Sequence, residues 1–345
     1  MKETIAVYGA RPTLCSAPDL LKGLRLYSGF NVVSLFYSEC GDPKRGDITK
    51  RCLLTKEEGS VYWLSSKRNE KQRIAELFCE ADHLIVLGTS GFKRLGIINK
   101  FSRKKRWKTK SVIVGNGNLL RNPNYWVKKF SKYDAFYLMP DLYKYSNISF
   151  IPYYPPFDSS RVEHVDLNFD GKLNVSHSPG PKEGQIRKGT KKIEQVIASL
   201  SKKYDLTWNP IYNMSYIDCL KVKRNAHIFI DQIVKGNPVF NDKKMSKTYR
   251  NKIHYNGGLA KSGLEAMGLG CVTITTADLA NSEPYYTKPP VILTDYDKFE
   301  NDLITLLENR DKMKELSKIQ KEWATKYVGL EYSGKHFVRH IMEKK

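Results

Sequence analysis

The chain has 345 residues, a hydrophobic content of 41% and a formal net charge of +22. That length suits two domains of ordinary size with a real core in each. No apolar run reaches the ~18 residues of a membrane-spanning helix, so a helical membrane protein is excluded, and the charge excess points to an anionic partner.

Strand and helix signals alternate from the start. Ile5–Tyr8 reads as a first strand, followed by a turn at Gly9-Ala10-Arg11-Pro12. Asp19–Ser28 reads as a helix, Asn31–Tyr37 as a strand, and Lys71–Cys79 as a helix leading into the buried strand His83–Leu87. Ser111–Val114 is a short strand that ends in Gly115-Asn116-Gly117-Asn118; Ala135–Leu138 and Ile148–Ile151 continue the pattern. The stiff run from Pro152 to Phe157 cannot be helical and reads as a link between domains. Beyond it, Val175-Ser176-His177-Ser178-Pro179 leads through Arg187-Lys188-Gly189-Thr190 into a helix over Lys191–Leu200. Ile193, Val196, Ile197 and Leu200 mark one face of that helix. A strand over His227–Ile230 ends at Asp231-Gln232, and Phe299–Leu307 and Tyr332–Glu343 read as later helices. Alternating βα units imply parallel sheets with right-handed crossovers, whose ligands lie beyond the carboxyl ends of the strands.

The most informative stretch is Gly257-Gly258-Leu259-Ala260-Lys261-Ser262-Gly263-Leu264-Glu265-Ala266-Met267-Gly268-Leu269-Gly270, followed by the β-branched strand Val272-Thr273-Ile274. Glycines ahead of a helix let backbone N–H groups approach an anion, and the helix N-terminus adds its positive dipole end. Glu265, one turn in among small apolar neighbours, is placed to accept hydrogen bonds from a ribose. Glycine-rich strand–helix turns also occur without a ligand. His177 is read evenly as a satisfied structural histidine and as a donor-loop residue; Asp231 caps the next turn or meets substrate at the strand end. The one D-x-D, Asp295-Tyr296-Asp297, stands before a helix and reads as a cap, so no metal is expected. The six cysteines show no CxxC pair, and Met1 leads straight into a strand with no signal core; reduced thiols in a cytoplasmic protein are expected.

Taken in order, His177-Ser178-Pro179, Lys188-Gly189-Thr190, Ala226–Gln232 and Ser262–Gly270 resemble the donor half of GT-B glycosyltransferases, nearest to the retaining family 4 type. The resemblance implies an α/β protein with two Rossmann-like domains whose parallel sheets face each other across a cleft. It gives an acceptor domain over residues 1–155, a nucleotide-sugar donor domain over 156–325, and a C-terminal helix over 326–345 that packs back on the first domain. It implies a nucleotide-sugar co-substrate, a UDP-sugar by expectation, with no further cofactor. His177, Ser178, Arg187, Lys188, Gly257, Gly258, Ser262, Gly263 and Glu265 would bind the donor, Arg187 and Lys188 at the diphosphate and Glu265 at the ribose hydroxyls. Lys188, Asp231 and Asn116 would carry the chemistry. Gly115–Arg121 resembles the family's H-G-S-D-x-R segment, with Asn116 where the histidine stands. The chain departs from the family's paired glutamates, E-x7-E: Glu265 matches the second, and Gly257 stands at the first. A basic insertion, Asn237–His254, precedes the glycine loop.

Charge is concentrated as well as large. From His83 to Tyr133 there is no Asp or Glu, while lysines, arginines and aromatic rings interleave. Such a one-signed field attracts a polyanion. Gly9, Arg11, Lys104, Lys105, Arg106, Arg121, Lys243 and Lys244 are the expected acceptor contacts. DNA fits, since phosphates give affinity and aromatic faces can stack on an extruded base; some phage GT-B enzymes glycosylate hydroxymethylated bases, and a phage enzyme would work in the host cytoplasm. An anionic membrane surface carrying a lipid-linked or polysaccharide acceptor is the alternative. A catalytically silent, nucleic-acid-binding relative is the reading from another class.

Overall fold

The computed structural model describes residues 2–9, 16–36, 61–63, 76, 78, 80–87, 107–114, 133–138, 151–179, 185–186, 188–235, 259–277, 279 and 288–343. The chain divides into two compact units, one of Met1–Pro156 with Leu330–Lys345 and one of Phe157–Gly329.

In the first unit the described strands are β1 (Thr4–Gly9), β2 (Asn31–Phe36), β3 (Val61–Trp63), β4 (His83–Leu87), β5 (Thr109–Val114), β6 (Ala135–Leu138) and β7 (Ile151–Pro152). They form a parallel sheet in the order β3-β2-β1-β4-β5-β6-β7. The order reverses direction between β1 and β4, the switch point where open α/β sheets take their ligands. Gly9 ends β1 there, in register with Leu87. Pro152 lies in β7 at the sheet edge, where its missing N–H removes no ladder bond needed by a further strand. The segment expected as a pure linker therefore begins inside the sheet. Residues 141–150, and with them most of the strand expected over Ile148–Ile151, lie outside the described residues, as does most of the helix expected over Lys71–Cys79.

Helix α1 (Ser16–Tyr27) buries Leu20, Leu21 and Leu24 against Ile5, Val7, Val32 and Ile85. Phe337, Val338 and Ile341 join the same core. The C-terminal segment was expected as one helix; it forms two later helices, broken at Phe337–Val338, whose side chains turn into this core. The hydroxyl of Tyr137 lies 2.7 Å from His340 Nδ1 and 3.1 Å from the Phe337 carbonyl, fixing that segment to β6.

The second unit holds β8 (Leu173–His177), α2 (Thr190–Leu200), β9 (Leu206–Pro210), α3 (Tyr216–Arg224), β10 (Ile228–Gln232), α4 (Lys261–Gly268), β11 (Val272–Thr275), β12 (Ile292–Leu293), α5 (Phe299–Glu308) and α6 (Arg310–Val328). After α6 come α7 (Leu330–His336) and α8 (Arg339–Met342), which belong to the first unit. The second sheet is also parallel, in the order β12-β11-β10-β8-β9. Its core takes Ile193, Val196, Ile197 and Leu200 from α2, the face read from their spacing, against Val175, Ile228, Ile230 and Ile274. Because β8 lies between β9 and β10, this sheet has its own switch point at the carboxyl ends of β8 and β10. His177 and Ile230 face each other there, and Asp231 and Gln232 follow.

Candidate functional site

The site is built where β8 and β10 end, from the loop before α2 and the first turn of α4. Gly189 is the hinge of the first loop. Its φ of 68° places it in the left-handed region, and a Cβ added to it would stand 1.7 Å from the Ile233 carbonyl oxygen. Only glycine lets the chain leaving β10 pass this close. Ile233 N–H donates to the Lys188 carbonyl at 3.0 Å, which locks the two loops together and sets the height of the Lys188 side chain over the sheet.

His177 is fully buried. Its Nδ1 lies 2.7 Å from the Ile230 carbonyl, which can only accept, so Nδ1 carries the proton. Nε2 then accepts from the Thr190 hydroxyl at 2.9 Å. Burial, with Lys188 adding repulsion, pulls its pKa down to about 3, so the ring is neutral. With both nitrogens engaged, His177 ties β8 to β10 and to the first turn of α2. Ser178 follows it, half-buried.

Asp231 has no solvent exposure. Its Oδ1 accepts from Lys188 Nζ at 3.3 Å and its Oδ2 accepts from Ala260 N–H at 3.1 Å. The residue expected to meet substrate at the strand end thus sits behind Lys188 and anchors both it and the entry to α4. Gly263 makes room: a Cβ there would meet Leu259 Cδ1 at 2.7 Å and Asp231 Cγ at 3.4 Å. Lys188 keeps 19% of its side chain exposed. At the first turn of α4, no side chain caps the helix, and Ser262 Oγ is buried without a hydrogen-bond partner among the described residues.

Glu265 is 3% exposed. Its Oε2 accepts from Lys223 Nζ at 2.5 Å and its Oε1 from the Tyr216 hydroxyl at 2.8 Å; Lys261 Nζ stands 3.7 Å from Oε1. Burial alone would raise its pKa, but Lys223, then Lys261, together with the two hydrogen bonds, outweigh burial and hold the carboxyl below its usual range. Lys223 itself is 2% exposed, its ammonium 5.4 Å from the centre of the Phe229 ring, and its carbonyl accepts from the Cys271 thiol. Burial pushes that thiol up to about 12. Sequence reading missed Lys223, Tyr216 and Lys261. A signal for Lys223 existed: Tyr216, Leu220 and Lys223 share one face of α3 at i, i+4 and i+7, and all three are buried.

Lys188, His177, Asp231, Ser178, Ser262, Gly263 and Glu265 thus fall on the strand ends of β8 and β10, the loops that follow them and the first half of α4, all in one unit. Asn116, Arg187, Gly257, Gly258, Arg11, Lys104, Lys105, Arg106, Arg121, Lys243 and Lys244 lie outside the described residues, as does the insertion Asn237–His254. Asp295 accepts from the N–H groups of Asp297 and Lys298 just before α5, and Asp297 pairs with Lys235. Among the described residues no helix is long and apolar enough to cross a membrane, and no three His, Cys, Asp or Glu side chains are grouped to hold a metal.

No family model matches the chain, and no curated protein matches it in sequence. Solved structures do match it in shape along its whole length. HepE of Anabaena, in complex with UDP and glucose, superposes with a TM-score of 0.62 at 10% identity, covering 100% of both chains. Sucrose-phosphate synthase from Thermosynechococcus elongatus gives 0.56 at 11% identity, again over 100% of both. UDP-GlcNAc 2-epimerase from Neisseria meningitidis, bound to UDP-GlcNAc, gives 0.51 at 10% identity, over 99% of this chain and 100% of that one. At these identities the likeness is one of fold. The chain has the GT-B fold, an α/β architecture with two parallel sheets.

Proposed function

We propose that the protein is a GT-B glycosyltransferase that uses a UDP-sugar, bound by the second unit, and transfers the sugar to a polyanionic acceptor held by the first. The observation that carries this reading is the juxtaposition at the second switch point. There a lysine anchored by a buried carboxylate, Lys188 on Asp231, stands over the same loop that opens α4, whose first turn carries no side-chain cap. Such a place favours a departing diphosphate by charge and by oriented N–H groups, without a covalent nucleophile. That HepE and the Neisseria epimerase were solved with UDP or a UDP-sugar supports the choice of nucleotide.

In the reaction the bond from the anomeric carbon to the diphosphate oxygen breaks as an acceptor hydroxyl oxygen attacks the same face. The hydroxyl proton leaves with the diphosphate, so the configuration is retained and no metal is required. Lys188, with Arg187 and the glycines Gly257 and Gly258, neutralises the leaving group; His177 and Asp231 hold the loops that carry these groups; Asn116 hydrogen-bonds the sugar. For the acceptor we favour hydroxymethylated bases of DNA, as in a phage modification enzyme. The supporting feature is the acid-free, aromatic-laced stretch from His83 to Tyr133, with Gly9 at the switch point of the first sheet.

The test is incubation with a panel of UDP-sugars and three acceptors: hydroxymethylated DNA, plain DNA of the same sequence, and anionic liposomes carrying a lipid-linked acceptor. A hexose mass added to the hydroxymethylated DNA alone is the expected result. Transfer to the lipid arm would move the acceptor to a membrane surface. Interconversion of the UDP-sugar with no transfer would make the protein an epimerase. Inertness with every donor, alongside retained DNA binding, would make it a silent relative.

A further inference from the structure

The second unit holds a cavity of about 310 Å³ at the end of its sheet opposite the site above. One wall is the segment 164–169, which leads into β8, and the floor is Leu269 and Gly270, which lead into β11. Both precede their strands, so the cavity lies at the amino ends, roughly 15 Å or one strand length from the carboxyl ends. The other wall is α6, where Lys314, Lys318 and Lys321 recur at i, i+4 and i+7 and all line the cavity. Like charges at that spacing repel one another. Lys314 is compensated by Asp170 at 2.8 Å and Asp311 at 3.7 Å. Lys318 and Lys321 pair with no carboxylate among the described residues. Lys321 Nζ stands 3.4 Å from His164 Nδ1 and 3.2 Å from Nε2, and Nε2 also lies 3.0 Å from Asp166 Oδ1. A carboxylate only accepts and an ammonium only donates, so the proton sits on Nε2 and Nδ1 is the nitrogen that accepts from Lys321. The Ser317 hydroxyl donates to the Gly270 carbonyl at 2.6 Å, joining floor to wall. Gly270 has a φ of 91°, and a Cβ there would point between Ser317 Oγ at 3.7 Å and Leu167 Cδ1 at 4.0 Å. Its absence keeps the floor open.

We propose that this cavity is a second ligand site and that it takes a small phosphate monoester, with the phosphate on Lys318 and Lys321 and an apolar body over Leu167, Phe169 and Leu269. Its volume stands at the lower end of the ~300–1,000 Å³ of ligand pockets, which suits a small molecule. Two ammonium groups on successive turns match a head carrying about two negative charges near pH 7. Sharing that head gives each a charge-assisted hydrogen bond and relieves their mutual repulsion. Asp166, the carboxylate on the rim, is 99% exposed and is screened by water. The site is separate from the donor site and does not depend on the reading given to it.

Phenyl phosphate, inorganic phosphate and phenol are the probes, titrated into the full chain by calorimetry and by amide NMR. Phenyl phosphate is expected to bind tighter than either fragment and to move the amide signals of Leu167, Leu269 and Gly270. The double variant Lys318→Met, Lys321→Met should weaken it by about tenfold or more, with the melting temperature no lower than wild type, since a repulsion is removed. If that variant does not fold, Lys318→Gln, Lys321→Gln carries the same comparison. Four results would each overturn the proposal: no binding of phenyl phosphate, wild-type affinity in the folded double variant, phenol bound as tightly as its phosphate ester, or amide shifts confined to the loops around Ser178 and Lys188.

Discussion

Glu265→Ala is expected to destabilise the protein by about 3–5 kcal/mol, the usual cost of removing one partner from a buried ion pair. Among the described residues, the mutation leaves the Lys223 ammonium, 2% exposed, with the Phe229 ring 5.4 Å away as a cation–π partner. A desolvated cation–π contact returns only about 2 kcal/mol, less than the ion pair supplied. Tyr216 also loses the acceptor of its buried hydroxyl. Against a total stability of about 5–15 kcal/mol the loss is severe, and denaturant unfolding should show it as a shifted midpoint. The double variant Lys223→Met, Glu265→Leu removes both charges and should recover most of the loss. An unshifted midpoint for Glu265→Ala, or a double variant worse than the single one, would show that the pair does not anchor the interior of the unit.

Gly189→Ala is the second large effect. Two separable terms add. An alanine at φ 68° costs roughly 1–2 kcal/mol for its left-handed backbone. Its Cβ would also stand 1.7 Å from the Ile233 oxygen and 2.7 Å from the Ile233 carbonyl carbon, both backbone atoms that cannot rotate away. The crossing of the two loops must open, which separates Lys188 from Asp231. The protein supplies its own controls. Gly29 has a φ of 79° with nothing within 4 Å of the added Cβ, so Gly29→Ala should cost only the backbone term; at Gly171, in open space without a positive φ, the change should be near neutral. Gly189→Ala should exceed Gly29→Ala by several kcal/mol in denaturant unfolding and should abolish UDP binding. Equal effects at positions 189 and 29 would refute the close crossing.

These two residues show where the sequence was legible and where it was not. The apolar periodicity of α2, the run Ser262–Gly270 and the strand ends at His177 and Asp231 are local patterns, and local patterns fix element type and the end of the sheet to which a loop belongs. What those side chains do there depends on partners far along the chain. Glu265 meets Lys223 across 42 residues and Asp231 meets Lys188 across 43. Lys223 looked like one cation among several in the last turn of α3, beside Lys221 and Arg224; only its spacing from Tyr216 and Leu220 marked it as inward-facing. His177 was balanced between core and ligand, and the geometry settles its two nitrogens on Ile230 and Thr190. The C-terminal helix broke for a similar reason: continuous helical periodicity cannot reveal that Phe337 and Val338 are both claimed by the first core.

In the proposed function the carboxyl ends of β8 and β10, with the first turn of α4, hold the diphosphate of a nucleotide sugar. A crystal soaked with UDP tests it most directly. Density for two phosphates is expected at that turn, with Lys188 Nζ swung from Asp231 onto a phosphate oxygen and Ser262 Oγ donating to the other group. UDP bound elsewhere, with Lys188 still on Asp231 and Ser262 unengaged, would contradict it.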